Sequence, residues 1–179
     1  MSRVYLSTGS NQGDRLKALL SAFHLIELHI GNVIDFSDVV ETEPWGFEAD
    51  LNFFNQVLII ETEIQPLRML EIILEIEGKL GRTREGAGYK SRNIDIDILF
   101  YDQQTVIFDQ LKIPHPLMHL RRFVLQPLEA IAPDFVHPVL QKPIKTLLSE
   151  IQDASTISTV INKSWFGKML KSIQNGNSL

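Results

Sequence analysis

The sequence contains no cysteine in its 179 residues. Disulfide bonds, thiolate metal sites and cysteine nucleophiles are therefore excluded. Positive charge is also scarce, because 17 Lys and Arg residues face 22 Asp and Glu residues, for a formal net charge of −5. That balance argues against a protein that binds nucleic acid through a broadly basic surface. Any site for a polyanionic ligand must therefore be a local group of basic residues in a chain that is acidic overall.

Long apolar runs are missing as well. No segment reaches membrane-spanning length, and the N-terminus enters a strand pattern at Val4 without an apolar signal core. We therefore expect a cytoplasmic protein with no membrane partner. The length and the 44% hydrophobic content fit one domain over residues 1–160. Residues 161–179 gain Lys, Asn, Gly and Ser, which predicts a loosely ordered C-terminal tail.

Apolar periodicity and turn residues divide the chain into strands and helices. The first part is predicted to run strand, helix, strand, strand, helix, strand, over residues 4–8, 15–29, 33–42, 53–63, 66–80 and 92–100. This order predicts an α+β fold with a ferredoxin-like βαββαβ core, in which helices pack on an antiparallel sheet. Extra C-terminal strands and helices follow over residues 105–108, 117–122, 123–131 and 143–151.

The segment 92–100 places two carboxylates inside an apolar, β-branched run. Side chains alternate along a strand, so Asp95 and Asp97 are expected on one face and the neighbouring isoleucines on the other. Two like charges this close need compensation, which a Mg²⁺ ion that also binds phosphate would supply. The alternative is a solvated edge strand on which Arg92 pairs with one of the aspartates.

Further motifs accompany the acidic strand, and together they resemble one family. They are Gly9-Ser10-Asn11, Glu41-Thr42-Glu43-Pro44-Trp45-Gly46, Phe53-Phe54-Asn55, an Arg-rich loop over residues 81–90, Arg92-x-x-Asp95-x-Asp97, Pro114-His115-Pro116 and Arg121-Arg122-Phe123. Over residues 3–150 the chain resembles the 6-hydroxymethyl-7,8-dihydropterin pyrophosphokinases of folate biosynthesis. Those enzymes transfer diphosphate from ATP to a pterin alcohol and release AMP.

The resemblance implies a role for each matching residue. Asp95 and Asp97 match magnesium ligands, which would hold two Mg²⁺ ions together with ATP as co-substrate. The catalytic set implied is Arg82, Arg92, Asp95 and Asp97. The ATP-binding set implied is Glu77, Arg84, Tyr89, Arg92, Ile98, His115 and Arg121. The pterin-binding set implied is Thr42, Pro44, Trp45, Gly46, Phe53, Asn55 and Phe123.

Taken one by one, these residues have simpler explanations. Arginines on a Gly-rich loop are usually solvated, phenylalanines usually pack in a core, and Glu77 could belong to an exposed acidic run on its helix. Asn55 in an apolar strand is different, because a buried amide needs partners. The Gly-rich loop over residues 81–90 is expected to act as a lid over bound ATP. The chain departs from the family pattern at Lys90 and Gln110.

Two other classes of function remain open on the residues alone. Polymerase-β-type nucleotidyltransferases also pair Gly-Ser with D-x-D, but there the two elements adjoin, whereas Ser10 and Asp95 lie 85 positions apart (95 minus 10). A ferredoxin-like binding or regulatory module is the non-enzymatic alternative. The expected partners are small molecules, namely ATP and 6-hydroxymethyl-7,8-dihydropterin, with no nucleic acid, and we expect a monomer.

Overall fold

The structure is a computed structural model that describes residues 1–46, 49–81 and 92–174. Within these residues the chain forms eight strands and five α-helices around a central sheet. The strands are β1 (Ser2–Ser10), β2 (Asn32–Phe36), β3 (Val39–Thr42), β4 (Phe53–Thr62), β5 (Asp95–Tyr101), β6 (Val106–Phe108), β7 (Leu111–Ile113) and β8 (Ile157–Ile161). The helices are α1 (Arg15–His29), α2 (Pro66–Lys79), α3 (Arg122–Ile131), α4 (Ile144–Glu150) and α5 (Lys163–Gln174).

The main sheet is antiparallel at every pairing and has the order β5-β1-β4-β3-β8, with β2 also paired to β4. Strand β1 therefore lies between β4, which carries the predicted Phe53 and Asn55, and β5, which carries the predicted Asp95, Asp97 and Ile98. Strands β6 and β7 form a separate two-stranded hairpin. The mixed α/β architecture and the antiparallel sheet agree with the sequence-based prediction.

Alternation along β1 divides the core into two clusters, one on each face of the sheet. Val4 and Leu6 point into the cluster that contains α1 and α2. Tyr5 points into the opposite cluster, which contains α3 and α4. Because side chains alternate, Ser7 and Gly9 lie on the same face of the sheet as Tyr5. The candidate site is on this face, near the N-terminal end of α3.

The predicted strand over residues 33–42 is two strands, β2 and β3, separated at Ser37 and Asp38. The Ser37 hydroxyl is the reason for the break. Its Oγ accepts a hydrogen bond from Val57 N at 3.0 Å, and Ser37 N donates to Val57 O at 2.9 Å. The Ser37 side chain thus takes the place of a backbone carbonyl as the acceptor for Val57 N on β4. The pairing with β4 can therefore change register at this point without leaving the buried N–H of Val57 unpaired.

The C-terminal region departs most from the prediction. Residues 163–174 were expected to be loosely ordered, but they form helix α5, and strand β8 before it extends the main sheet by pairing with β3. Phe166 is completely buried in the core cluster and its ring contacts those of Phe23 and Phe36. The expectation of a loose tail is therefore wrong for these residues.

The remaining differences are small. The strand predicted at 105–108 begins at Val106, β7 was not predicted, and the helix predicted over 117–122 is a short 3₁₀ turn at Met118–Leu120 directly before α3. Among the described residues, none of the helices combines the length and apolar character needed to cross a membrane.

Candidate active site

Asp95 and Asp97 lie at the start of β5 and point to the same face of the sheet, as their spacing predicts. The strand register places Asp95 opposite Gly9 and Asp97 opposite Ser7 on β1. Both aspartates line a cavity of about 270 Å³ together with Ser7 and Gly9. The small side chains on the central strand leave room above the sheet for a ligand that reaches both carboxylates.

Three basic side chains surround these carboxylates. Arg92 Nη1 lies 2.7 Å from Asp95 Oδ2, so the ion pair that the sequence left as an alternative is present. His115 Nε2 and Arg121 Nη1 each lie 4.0 Å from Asp97 Oδ2. Arg92 Nε is buried and has no hydrogen-bond partner among the described residues.

Burial and the neighbouring carboxylate of Asp95 together raise the pKa of Asp97. Burial is the larger cause, and the pKa of Asp97 reaches about 7 although Arg121 and Arg92 oppose the shift. The Asp97 carboxylate is nevertheless 36% exposed through the cavity, so a ligand can reach it. Additional positive charge beside this pair would therefore be favourable.

His115 contributes a hydrogen-bond donor rather than a positive charge. Burial and then the neighbouring Arg121 lower its pKa to about 4, so the imidazole is neutral at pH 7. Its Nδ1 accepts a hydrogen bond from Leu117 N at 3.2 Å, which places the ring proton on Nε2, the atom that faces Asp97.

A buried amide forms the other end of the cavity. Asn55 Nδ2 donates to Thr42 Oγ1 at 2.7 Å, and both residues are buried and line the cavity. Asn55 Oδ1 lies over Gly9, only 2.8 Å from the position that a Cβ atom on that glycine would occupy. The hydrogen bond to Thr42 uses one N–H of the amide, so the second N–H and the carbonyl oxygen can bind a heterocycle edge.

Aromatic side chains form the walls between the two ends. Trp45, Phe53 and Phe123 all line the cavity. The guanidinium carbon of Arg121 lies 4.9 Å from the ring centroid of Trp45 and 5.8 Å from that of Phe123, so the cation contacts two of these walls. Pro44 and Gly46 flank Trp45 in the chain but are not among the residues that line the cavity.

A second cavity adjoins the first beside Asp97 and His115, which line both. Ile98, predicted to contact the nucleotide, lies in this neighbouring cavity with Gln110 and Lys112. Glu77 is only 2% exposed, so it does not belong to an exposed acidic run. Its Oε1 accepts a hydrogen bond from Ile96 N at 2.9 Å, which fixes β5 to helix α2 between the two aspartates.

Three predicted residues, Arg82, Arg84 and Tyr89, lie outside the described residues, as does most of the predicted lid. Sequence reasoning in turn assigned no role to several residues that the cavity contains. Ser7, Glu43 and Leu117 line it, and Asn11 is held against Arg92 at its edge. The alternation of side chains along β1 could have identified Ser7 and Gly9, because both share a face with the predicted site.

Sequence comparison relates the chain to a known protein family. The sequence profile of the family "7,8-dihydro-6-hydroxymethylpterin-pyrophosphokinase (HPPK)" matches residues 5–133. The chain belongs to this family. HPPK membership gives it a pyrophosphokinase activity in folate biosynthesis.

Individual HPPK relatives cover most of the chain. A 2-amino-4-hydroxy-6-hydroxymethyldihydropteridine pyrophosphokinase from Porphyromonas gingivalis is 42% identical over 146 residues, which span 80% of this chain and 99% of the relative. The enzyme of the same name from Aquifex aeolicus is 39% identical over 150 residues, 84% of this chain and 92% of the relative.

Solved structures support the fold. The Plasmodium falciparum wild-type HPPK-DHPS chain is 18% identical and superposes with a TM-score of 0.69. The match covers 83% of this chain and 44% of that longer chain. At this identity the likeness concerns the fold alone.

Proposed function

We propose that this cavity binds 6-hydroxymethyl-7,8-dihydropterin beside MgATP and transfers the terminal diphosphate to the pterin hydroxymethyl oxygen, with release of AMP. The observation that carries the proposal is the position of Asp95 and Asp97. They lie on the floor of one cavity that has arginines at one end and a buried amide between aromatic walls at the other. A triphosphate requires the end with the arginines, and a flat heterocycle requires the end with the buried amide and the aromatic walls.

The phosphate end is assigned to Arg92, His115 and Arg121. Two guanidinium groups and a neutral imidazole N–H would hold the phosphate oxygens and neutralise charge that develops during transfer. Arg82, Arg84 and Tyr89 remain predicted contributors to nucleotide binding, and Arg82 to catalysis. The loop over residues 81–90 remains the predicted lid.

Asp95 and Asp97 fit a magnesium site with few protein ligands. Among the described residues, no group of three or more His, Asp or Glu side chains lies close enough to hold a metal ion. Mg²⁺ usually takes one or two carboxylates and completes its coordination with phosphate and water oxygens, which suits this pair. Two bound Mg²⁺ ions would supply charge neutralisation at the bridging phosphate oxygens.

The pterin end is assigned to Thr42, Asn55, Phe53 and Phe123. The Asn55 amide would read the donor and acceptor pattern of the ring edge, and its hydrogen bond to Thr42 fixes the amide orientation. The two phenylalanines would contact the flat faces of the ring. Trp45 would cover the side of the pterin ring. Backbone groups of Pro44 and Gly46 remain predicted contacts of the pterin.

The chain contributes to the reaction mainly by positioning the two substrates. The hydroxymethyl oxygen attacks the β-phosphorus and loses its proton to water, the bond from that phosphorus to the α,β-bridging oxygen breaks, and AMP leaves with that oxygen. The chain holds both substrates in line, supplies donors to the phosphate oxygens and limits the access of water. The adenine is assigned to the neighbouring cavity at Ile98, and Glu77 acts beneath it by fixing β5.

Three broader features complete the proposal. The strand order β5-β1-β4-β3 with helices α1 and α2 on one face supports a ferredoxin-like βαββαβ core. We further propose a monomeric enzyme that acts in the cytoplasm.

The test is to incubate the chain with ATP, Mg²⁺ and 6-hydroxymethyl-7,8-dihydropterin and to separate the nucleotide products. AMP and pterin diphosphate should appear in equal amounts, and EDTA should abolish both. Asp97→Asn should lower turnover at least about a hundredfold, by analogy with the loss of one electrostatic contact to the transition state. The control Asp134→Asn, which alters an exposed ion pair with Lys145, should not. Release of ADP would contradict diphosphate transfer.

A further inference from the structure

Asp153 connects the C-terminal region to the start of helix α3. Its Oδ2 accepts a hydrogen bond from Arg122 N at 2.9 Å, and its backbone oxygen accepts one from Arg122 Nε at 2.8 Å. Its other carboxylate oxygen, Oδ1, accepts from Ser155 N at 2.9 Å. Both carboxylate oxygens are therefore used, one for the helix and one for the segment that leads to β8.

Helix α3 depends on this contact because it has no local cap. Arg121 occupies the N-cap position and its side chain makes no capping hydrogen bond. The first backbone N–H groups of a helix need acceptors, and a carboxylate is favourable there because of the helix dipole. Asp153 supplies this acceptor from 31 positions further along the chain.

The residues on either side of Arg122 both belong to the cavity. Arg121 and Phe123 line it, and Arg121 also contacts the ring of Trp45. The hydrogen bonds from Arg122 to Asp153 thus fix the segment of backbone from which the basic group and an aromatic wall project.

The segment that begins at Asp153 also contacts the strand that carries Thr42. Strand β8 pairs with β3, and Ile157 is the register partner of Thr42. Thr42 is the hydrogen-bond partner of Asn55. Residues 153–161 therefore contact both the helix that carries Phe123 and the strand that carries Thr42, and they lie beyond residues 5–133, which match the family profile.

We infer that Asp153 is a positioning residue for pterin binding, acting through Arg122 on the orientation of Phe123 and Arg121. The inference rests on the proposed function, because it needs the pterin to occupy the Phe123 end of the cavity. Asp153 contacts neither substrate, so its loss should weaken binding of the pterin more than binding of ATP, whose phosphates are also held by Arg92 and His115.

The ionisation of Asp153 suits this role. Burial raises the pKa of its carboxyl, but the hydrogen bonds from Arg122 and Ser155 outweigh burial and leave the pKa below the usual range. The group is therefore an anion at neutral pH, the form in which both oxygens accept hydrogen bonds.

The experiment compares three variants by steady-state kinetics and thermal unfolding. In Asp153→Ala both acceptor oxygens are lost, and we expect KM for the pterin to rise about tenfold while KM for ATP stays within about twofold. Asp153→Asn keeps one acceptor oxygen and should give an intermediate KM for the pterin. The control Asp134→Ala removes an exposed carboxylate whose ion pair with Lys145 is 2.7 Å long and should leave both KM values unchanged.

The outcomes separate the inference from the proposed function. A wild-type chain that releases no AMP overturns the proposed function and the inference with it. An active wild-type chain whose Asp153→Ala variant has the same pterin KM as Asp134→Ala overturns the inference alone, and so do equal rises in both KM values. Should Asp153→Ala fail to fold, the pterin KM of Asp153→Asn decides, and an unchanged value rejects the inference.

Discussion

Asn11 and Arg92 hold each other through two hydrogen bonds across 81 positions of sequence, one to the Asn11 side chain and one between the two backbones. Asn11 Oδ1 accepts from Arg92 N at 2.8 Å, and Asn11 N donates to Arg92 O at 3.1 Å. Asn11 also donates from Nδ2 to Leu51 O at 3.5 Å, a longer contact to the loop that precedes β4. Asn11 thus connects the backbone at Arg92 to the loop that precedes β4.

We predict that Asn11→Ala lowers kcat by about one to two orders of magnitude, because Arg92 loses the acceptor that fixes its backbone N–H and the guanidinium is no longer held in place. The free energy of unfolding should fall by about 1–3 kcal/mol, since a partly buried N–H loses its partner. Turnover assays and urea unfolding measure the two effects.

The control for Asn11 is Gln56→Leu. Gln56 is a buried amide that donates from Nε2 to Ser37 O at 2.9 Å and does not line the cavity. Its loss should cost comparable stability with little effect on kcat. If both variants lower kcat equally, Asn11 acts only through stability and the positioning argument is wrong.

Gly9 tests the contact with Asn55. A Cβ atom at this position would lie 2.8 Å from Asn55 Oδ1, closer than real Cβ contacts, so Gly9→Ala should displace the amide. We expect KM for the pterin to rise about tenfold or more with little change in KM for ATP, as measured by steady-state kinetics with each substrate varied in turn.

Gly78 provides the matched substitution. It lies in helix α2, where an added Cβ atom meets nothing within 4 Å. Gly78→Ala should leave both KM values unchanged and stabilise the fold by about 0.5–1 kcal/mol, the usual gain in a helix. An unchanged pterin KM in Gly9→Ala would show that the Asn55 amide does not bind this substrate.

Much of the fold was predictable because its signals are local. The D-x-D strand, the Pro66 start of α2 and the Asn55 position all follow from side-chain alternation or turn chemistry within a few residues. The split at Ser37 was not predictable, because it depends on a hydroxyl that bonds to Val57 on another strand. The hydrogen bonds of Asn11 and Asp153 are equally non-local, which is why motif reasoning gave neither residue a role.

Helix α5 was missed although it carries a local signal, because apolar residues recur at helical spacing at positions 165, 166, 169, 170 and 173. What the sequence does not show is their partner, since the Phe166 ring packs against Phe23 and Phe36 far away in sequence. Phe166→Ala should lower the free energy of unfolding by about 3–5 kcal/mol, because a fully buried ring leaves a cavity. The neighbouring Trp165 is 45% exposed, so Trp165→Ala should have a much smaller effect in the same denaturation experiment. Equal small effects would mean that α5 contributes nothing to the core.

The buried His137 predicts how stability depends on pH. Its ring is 4% exposed and lies edge-on to Phe100, and its Nδ1 accepts hydrogen bonds from Val139 N and Leu140 N. Burial, with a smaller contribution from His119, lowers its pKa to about 4. In the unfolded chain a histidine titrates near pH ~6.5. Between these values the unfolded state binds more protons, so stability falls as the pH drops from about 6.5 towards 4.

Because the pKa of His137 falls from about 6.5 in the unfolded chain to about 4 in the folded chain, we expect this histidine to contribute about 3 kcal/mol to the difference in stability between pH 7 and pH 4. His137→Asn replaces Nδ1 with an amide oxygen that accepts hydrogen bonds and does not titrate. Chemical denaturation across this range should give a flatter profile for that variant, even if packing loss lowers its stability at pH 7. His24→Asn, at an exposed position, is the control and should keep the wild-type profile. The His137→Asn profile could instead be as steep as that of the wild type. That result would mean that the imidazole of His137 is already protonated in the folded chain at neutral pH, or that it remains accessible to protons in the folded chain.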